Sequence, residues 1–146
     1  MQRVVAIIRL RGEATPPEGE PPRVKVKGQS EDVTVEVAGA ESAIARLLSG
    51  GVTYETDVTF SSETAFTETG RIAVGSGGDA VHISTVGEGF LGPSPDPGLL
   101  HGSVIWRIDS GEGVFEGASG LLTSNFVLAP DRGKVSEHQV ATIFTP

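Results

Sequence analysis

Apolar and polar residues alternate along most of the chain at the period of two expected of strands with one buried face. Val52, Tyr54, Val58 and Phe60 share one parity, and Thr53, Glu55, Asp57 and Thr59 share the other. In residues 23–28, Val24 and Val26 oppose Arg23, Lys25 and Lys27; in 32–37, Val33, Val35 and Val37 oppose Thr34 and Glu36. These two runs predict a hairpin turning at Gly28-Gln29-Ser30-Glu31. Residues 2–11 predict an earlier strand rich in β-branched side chains, and later ones are predicted over 65–74, 80–90, 103–109, 121–128 and 135–144. Residues 75–79 and 130–133 are turns by composition, and Gly87 and Gly89 suggest strong coiling of the 80–90 run. Only residues 41–48 (ESAIARLL) read as helix: Ile44, Leu47 and Leu48 fall at i, i+3 and i+4, and Gly50-Gly51 would stop it. At two turns it should plug or brace a sheet.

About eight or nine strands at regular spacing with one short helix define an all-β chain, either a sandwich or a closed barrel. At 146 residues a single domain, 1–146, is the simplest division. Two proline-rich stretches interrupt the strands. Residues 12–22 hold Pro16, Pro17, Pro21 and Pro22 and read as a loop or arm, either a flexible leader or a strap across a neighbouring subunit. Residues 91–101 are a longer excursion than a hairpin needs. Several late runs are apolar on both faces, which predicts a homo-oligomer, a dimer or trimer, covering the outer one.

Composition narrows the chemistry. Glycine supplies 20 residues, about twice the usual share of roughly 7%. With no cysteine, a disulfide framework, a thiol nucleophile and a thiolate metal site are excluded. The formal charge of −8 argues against nucleic acid and against an anionic membrane face as partners. Residues 1–10 hold too short an apolar run for a secretory leader, and no segment approaches a membrane span, so the cytoplasm is the default compartment.

One stretch stands apart: residues 110–125, SGEGVFEGASGLLTSN, with glycines at 111, 113, 117 and 120 around Phe115. The spacing suits a tight turn followed by a bulged strand. It resembles the glycine-rich signature of the allene oxide cyclase and dirigent-like barrel superfamily, roughly Gly-Gly-Thr-Gly-x-Phe-x-x-Ala-x-Gly. Ser110, Glu112 and Val114 depart from that pattern. The resemblance implies an eight-stranded antiparallel β-barrel, usually oligomeric and without cofactor, with a mostly apolar cavity for a hydrophobic small molecule. Relatives steer a cyclisation or coupling by shape. None of their catalytic residues can be carried over position by position.

Candidate chemistry is sparse. No H-x-H or H-x-x-x-H pair marks a metal site. A site assembled across strands from His82, His138 and Glu88 is set against hydrogen-bonded or surface histidines. His101, at the end of the second proline-rich stretch, is a candidate acid or base at a barrel mouth, or a loop anchor. Glu88 between two glycines is a second candidate if it points inward. Tyr54 is internal by parity and needs a partner for its hydroxyl, and Asn125 can orient a ligand oxygen or tie down the glycine turn. These four are the candidate catalytic residues; Trp106, His82, His138 and Phe90 are the candidate ligand contacts. No G-x-S-x-G elbow or phosphate loop is present. The expected function is a cofactor-independent cyclase or isomerase, or else a non-catalytic ligand-binding or structural oligomeric barrel.

Overall fold

The computed structural model describes residues 1–37, 43–75 and 78–146. Among these residues nine strands and one helix follow in order: β1 (Gln2–Ala14), β2 (Arg23–Val37), α1 (Ala43–Ser49), β3 (Val52–Phe60), β4 (Ala65–Val74), β5 (Asp79–Thr85), β6 (Gly89–Pro93), β7 (Leu100–Glu112), β8 (Ser119–Ala129) and β9 (Lys134–Thr145). The sheet runs β3-β2-β1-β9-β8-β7-β5-β4, and β4 pairs back onto β3. Every pairing is antiparallel, so the result is a closed eight-stranded barrel with β6 as an extra strand. Closure removes the exposed edges that an open sheet would present.

β6 pairs with both β4 and β7, as β5 does. The expected 80–90 strand is thus one staff position broken at residues 86–88, where Gly87 takes φ +68°. The predicted hairpin at 28–31 does not form. β2 runs through it and pairs with β1 along its length, slipping register only where Arg9 meets Asp32 and Leu10 meets Ser30. Gln29 and Asp32 sit on the outer face and Glu31 is the bulge, while Ser30 pairs with the buried Leu10 and accepts from Val52 N (2.8 Å), so a long strand absorbs the polar run without turning back.

The 12–22 segment also differs from expectation. β1 extends to Ala14, and the loop after it bonds back onto its own barrel: Lys25 N donates to Thr15 Oγ1 (2.9 Å) and Ala14 N to Gly133 O (2.7 Å). The helix forms as predicted from Ala43 onward, residues 41 and 42 lying outside the described ones, as do 76 and 77 of the expected turn. Gly50 N and Gly51 N bond to Leu47 O and Leu48 O, and Gly51 at φ +108° turns the chain into β3.

Alternation places Val4, Ala6, Ile8 and Leu10 of β1, Val52 and Tyr54 of β3, and Ala141 and Ile143 of β9 inside. Outside, Ile7, Val140, Thr123 and Ile105 are register neighbours across β1, β9, β8 and β7, with Leu121 beside them. Ile7, Ile105, Leu121 and Val140 are exposed. This is the two-sided apolar pattern that suggested a covering subunit.

The barrel has unlike ends. Where β2 and β7 finish and β3 and β8 begin, α1 inserts Ile44 and Leu48 into the core. At the same end the glycine stretch forms a short 3-10 turn, Gly113–Phe115, that drives Phe115 to complete burial. Gly111 must lack a Cβ, which would lie 1.9 Å from Phe115 O. The one bulge there, at Asp109, precedes the turn instead of following it, because His82 pairs with Ser110 but Ile83 with Ile108. The opposite end stays open.

Candidate functional site: an apolar lumen with an acidic floor

The open end leads into a cavity of about 460 Å³, within the range of small-molecule sites. Thr15, Pro16 and Pro17 and the turn at 130–133 form its rim. Its walls are apolar: Val58, Leu91, Leu100, Val104 and Leu128, with Phe66 tilted against Phe60 and edge-on to Phe126, each at 6.0 Å. Two carboxylic acids, Glu68 of β4 and Glu137 of β9, also line it, and each is only 5% exposed.

Each acid is held by an aromatic side chain reaching from a distant strand. Trp106 of β7 donates its indole Nε1–H to Glu68 Oε1 at 3.2 Å. It bridges the β5 position of Thr85, whose Oγ1 accepts from the backbone N of Glu68. Tyr54 of β3 donates its hydroxyl to Glu137 Oε1 at 3.2 Å. To get there the ring crosses two strands, and both present glycine: Gly28 and Gly12 face each other in register. A Cβ at Gly28 would lie 2.2 Å from Tyr54 Cε1, and one at Gly12 would lie 2.5 Å from its hydroxyl. The bare backbone at these two positions is what lets a tyrosine lie flat along the wall.

The two acids differ in how fully they are satisfied. Glu137 accepts three side-chain bonds, from Tyr54 on Oε1 and from Gln139 Nε2 (2.7 Å) and Ser124 Oγ (3.4 Å) on Oε2. Glu68 accepts one. Thr56 lies close enough to favour its ionised form yet makes no hydrogen bond of ordinary geometry. Among the described residues no Lys, Arg or His pairs with either acid. Burial, the largest cause, pushes Glu68 up to about 8; the Glu137 charge adds to it, and Thr56 and Trp106 oppose it. Burial also raises Glu137, against its three donors. Tyr54 is raised by burial and then by the Glu137 charge, so its hydroxyl stays a donor. Two neighbouring buried carboxyls do not both ionise readily. Glu137, with three donors against one, is the better suited to carry the charge, and Glu68 is left as the neutral acid at neutral pH.

Of the residues singled out from sequence, Trp106 lines the cavity and Tyr54 is buried in the barrel interior, touching the cavity through Glu137. The others lie outside it. Glu88 is exposed at the β5–β6 break, accepting from Ser61 Oγ at 2.9 Å, so its inward reading is not met. His101 is exposed on β7 with the half-exposed Phe90 edge-on to its ring. Asn125 and His138 face each other on the outer surface of β8 and β9. Their neighbours Ser124 and Glu137 hold the inward positions, one residue out of phase. His82, partly exposed, bonds through Nε2 to Glu112 Oε2 (2.8 Å), which Arg71 Nε also reaches at 2.8 Å. No cluster of three metal-ligating side chains occurs among the described residues, and no helix there is long and apolar enough to cross a membrane.

Parity had the missing signal. Phe66, Ile72 and Val74 share a phase with Glu68, and Val135, Ala141 and Ile143 share one with Glu137 and Gln139. An acid on the apolar phase of a strand is the mark of a buried carboxyl.

In class, then, the chain is a closed antiparallel barrel, plugged at one end and open at the other onto an apolar lumen floored by two carboxyls. No protein-family model, no curated protein and no solved structure matches it.

Proposed function

We propose that this barrel binds a hydrophobic small molecule in its lumen and carries it through a cofactor-independent cyclisation or isomerisation. The observation behind this reading is Glu68: a carboxyl kept neutral at the floor of an apolar cavity, one oxygen on Trp106 and the other uncommitted. The apolar walls would hold a flexible substrate near its reactive shape, a contribution of up to roughly 7–11 kcal/mol. Glu68 would donate a hydrogen bond or a proton where negative charge develops. Tyr54, through Glu137, is a positioning residue for that acid. The glycine stretch and the barrel around it support kinship with the allene oxide cyclase and dirigent-like barrels.

The first test is binding. The neutral dye N-phenyl-1-naphthylamine should enter the lumen, and Val104→Phe, which fills it, should expel the dye. The second is chemistry. Incubated with a lipophilic extract of the cells that make the protein, the barrel should convert a compound to a product of unchanged mass and altered retention. Glu68→Leu should lose that conversion while keeping the dye. Dye binding without conversion would leave a carrier; no dye binding would end the reading.

A further inference from the structure

The floor of the lumen also selects the kind of ligand. Glu68 Oε1 is occupied by Trp106, whereas Oε2 accepts no hydrogen bond of ordinary geometry, the Thr56 hydroxyl lying near the carboxyl without making one, and it is not sealed away, so it opens on the cavity. Glu137, beside it, has both oxygens engaged by Tyr54, Ser124 and Gln139. Those donors suit the charged carboxylate, and no cation of the chain accompanies it among the described residues. An arriving group meets one free acid O–H, one fixed negative charge, and otherwise hydrocarbon.

Resting on the lumenal-binding reading, we propose that the cavity takes an uncharged hydrophobic ligand with a carbonyl-type oxygen at its leading end. That oxygen accepts from Glu68 Oε2, and the ligand's hydrocarbon body lies against Phe60, Phe66, Phe126 and the leucines nearer the mouth. An anionic head is repelled by Glu137 and stripped of water without a compensating partner. A hydrocarbon fills the walls but leaves the acid unpaired.

The pH dependence follows from the groups that face Glu68. These are Glu137 on β9 and Tyr54 on β3; Asp131 and Arg132 stand at the mouth. Tyr54 stays protonated, and Glu68, with a value of about 8, changes its donor capacity around neutrality. Below its value of about 8 the acid donates, and above it the donor is lost and a second negative charge appears.

Four probes of one skeleton test this by calorimetry on the intact protein: 4-phenylbutan-2-one, butylbenzene, 3-phenylpropanoate and 3-phenylpropylamine. Well below pH 8 the ketone should bind about three- to tenfold tighter than butylbenzene, and the carboxylate more than tenfold weaker than the ketone. Well above pH 8 the ketone's advantage should vanish. In Glu68→Leu it should vanish at every pH while butylbenzene still binds. A carboxylate equal to the ketone, an amine tighter than it, or an advantage indifferent to pH and to Glu68→Leu would overturn the proposal and leave lumenal binding standing. Failure of all four, butylbenzene included, would overturn lumenal binding and this proposal together.

Discussion

The two ends of the barrel are built from the same strands and serve opposite purposes. At the plugged end, α1 and the 3-10 turn fill the lumen with Ile44, Leu48 and Phe115, all apolar and all buried. At the open end the walls remain apolar, but the space between them is left empty and its floor carries two acids. A filled apolar end gains stability from burial and dispersion. An empty, acid-floored end gives up part of that gain and keeps groups whose burial is unfavourable. The division locates much of the packing at one end and the candidate binding site at the other, and substitutions should separate them.

The largest effect belongs to the plug. Phe115→Ala should destabilise the protein by about 3–5 kcal/mol in urea unfolding, through lost burial plus a residual cavity. Folded Phe115→Ala should still bind the neutral dye with near-native affinity, because the cavity lies at the other end. Loss of dye binding in proportion to loss of stability would mean that the ends are not separable.

Next comes the floor, with a sign that depends on pH. Glu68 binds its proton more tightly in the folded chain than in the unfolded one, with a value raised from 4.5 to about 8. The folded state therefore holds the extra proton across that window, and stability falls as pH rises through it. Below the window the group makes no difference by this route. Glu68→Gln cannot ionise, so it should be more stable than the parent by up to about 5 kcal/mol well above pH 8 and nearly equal to it in acid. Thermal unfolding across pH would show the two curves converging toward acid. A parent stability flat through this window would mean that Glu68 is not the buried acid argued for here.

How much of this was legible beforehand follows the same division. Strand periodicity and turn composition announced an all-β chain, sandwich or barrel, with one helix and a tight glycine turn, because each is written in neighbouring residues; the resemblance of the glycine stretch is what pointed to the barrel. Tyr54 and Trp106 could be placed inside by the parity of their own strands. The acids were not recognised, although their phase was readable, since a lone Glu in a strand ordinarily faces water. Their significance comes from contacts across 38 and 83 residues of chain. The glycines at 12 and 28 read locally as a loop start and a turn. Only the register that sets them side by side under the Tyr54 ring shows their role. The same register explains why no hairpin forms at 28–31.

That ring supplies the next effect in size. Tyr54→Phe keeps the packing over Gly12 and Gly28 and removes one of the three donors to Glu137. The expected loss is about 1–2 kcal/mol, since a hydrogen bond to a charged acceptor is removed without replacement. Less well held, Glu137 should bind its proton more readily, so the loss should be greatest where Glu137 is ionised and fade in acid. A loss of equal size at every pH would assign Tyr54 to packing alone.

The smallest effects should come from the outer surface, and they are the sharpest check on which face matters. Glu88→Ala, Asn125→Ala and His138→Ala change exposed residues on the water side of the wall. Each should alter stability by no more than about 0.5 kcal/mol and leave dye affinity unchanged. The bond from Ser61 to Glu88 is itself exposed, and such a contact adds little against competition from water. His138 and Asn125 sit one residue from Glu137 and Ser124, so the comparison is between adjacent positions of the same strands. Stability and binding should respond to Glu137 and Ser124 and ignore their neighbours. If His138→Ala weakened dye binding as Val104→Phe does, the ligand would lie against the outer face, and the lumen would not be the site.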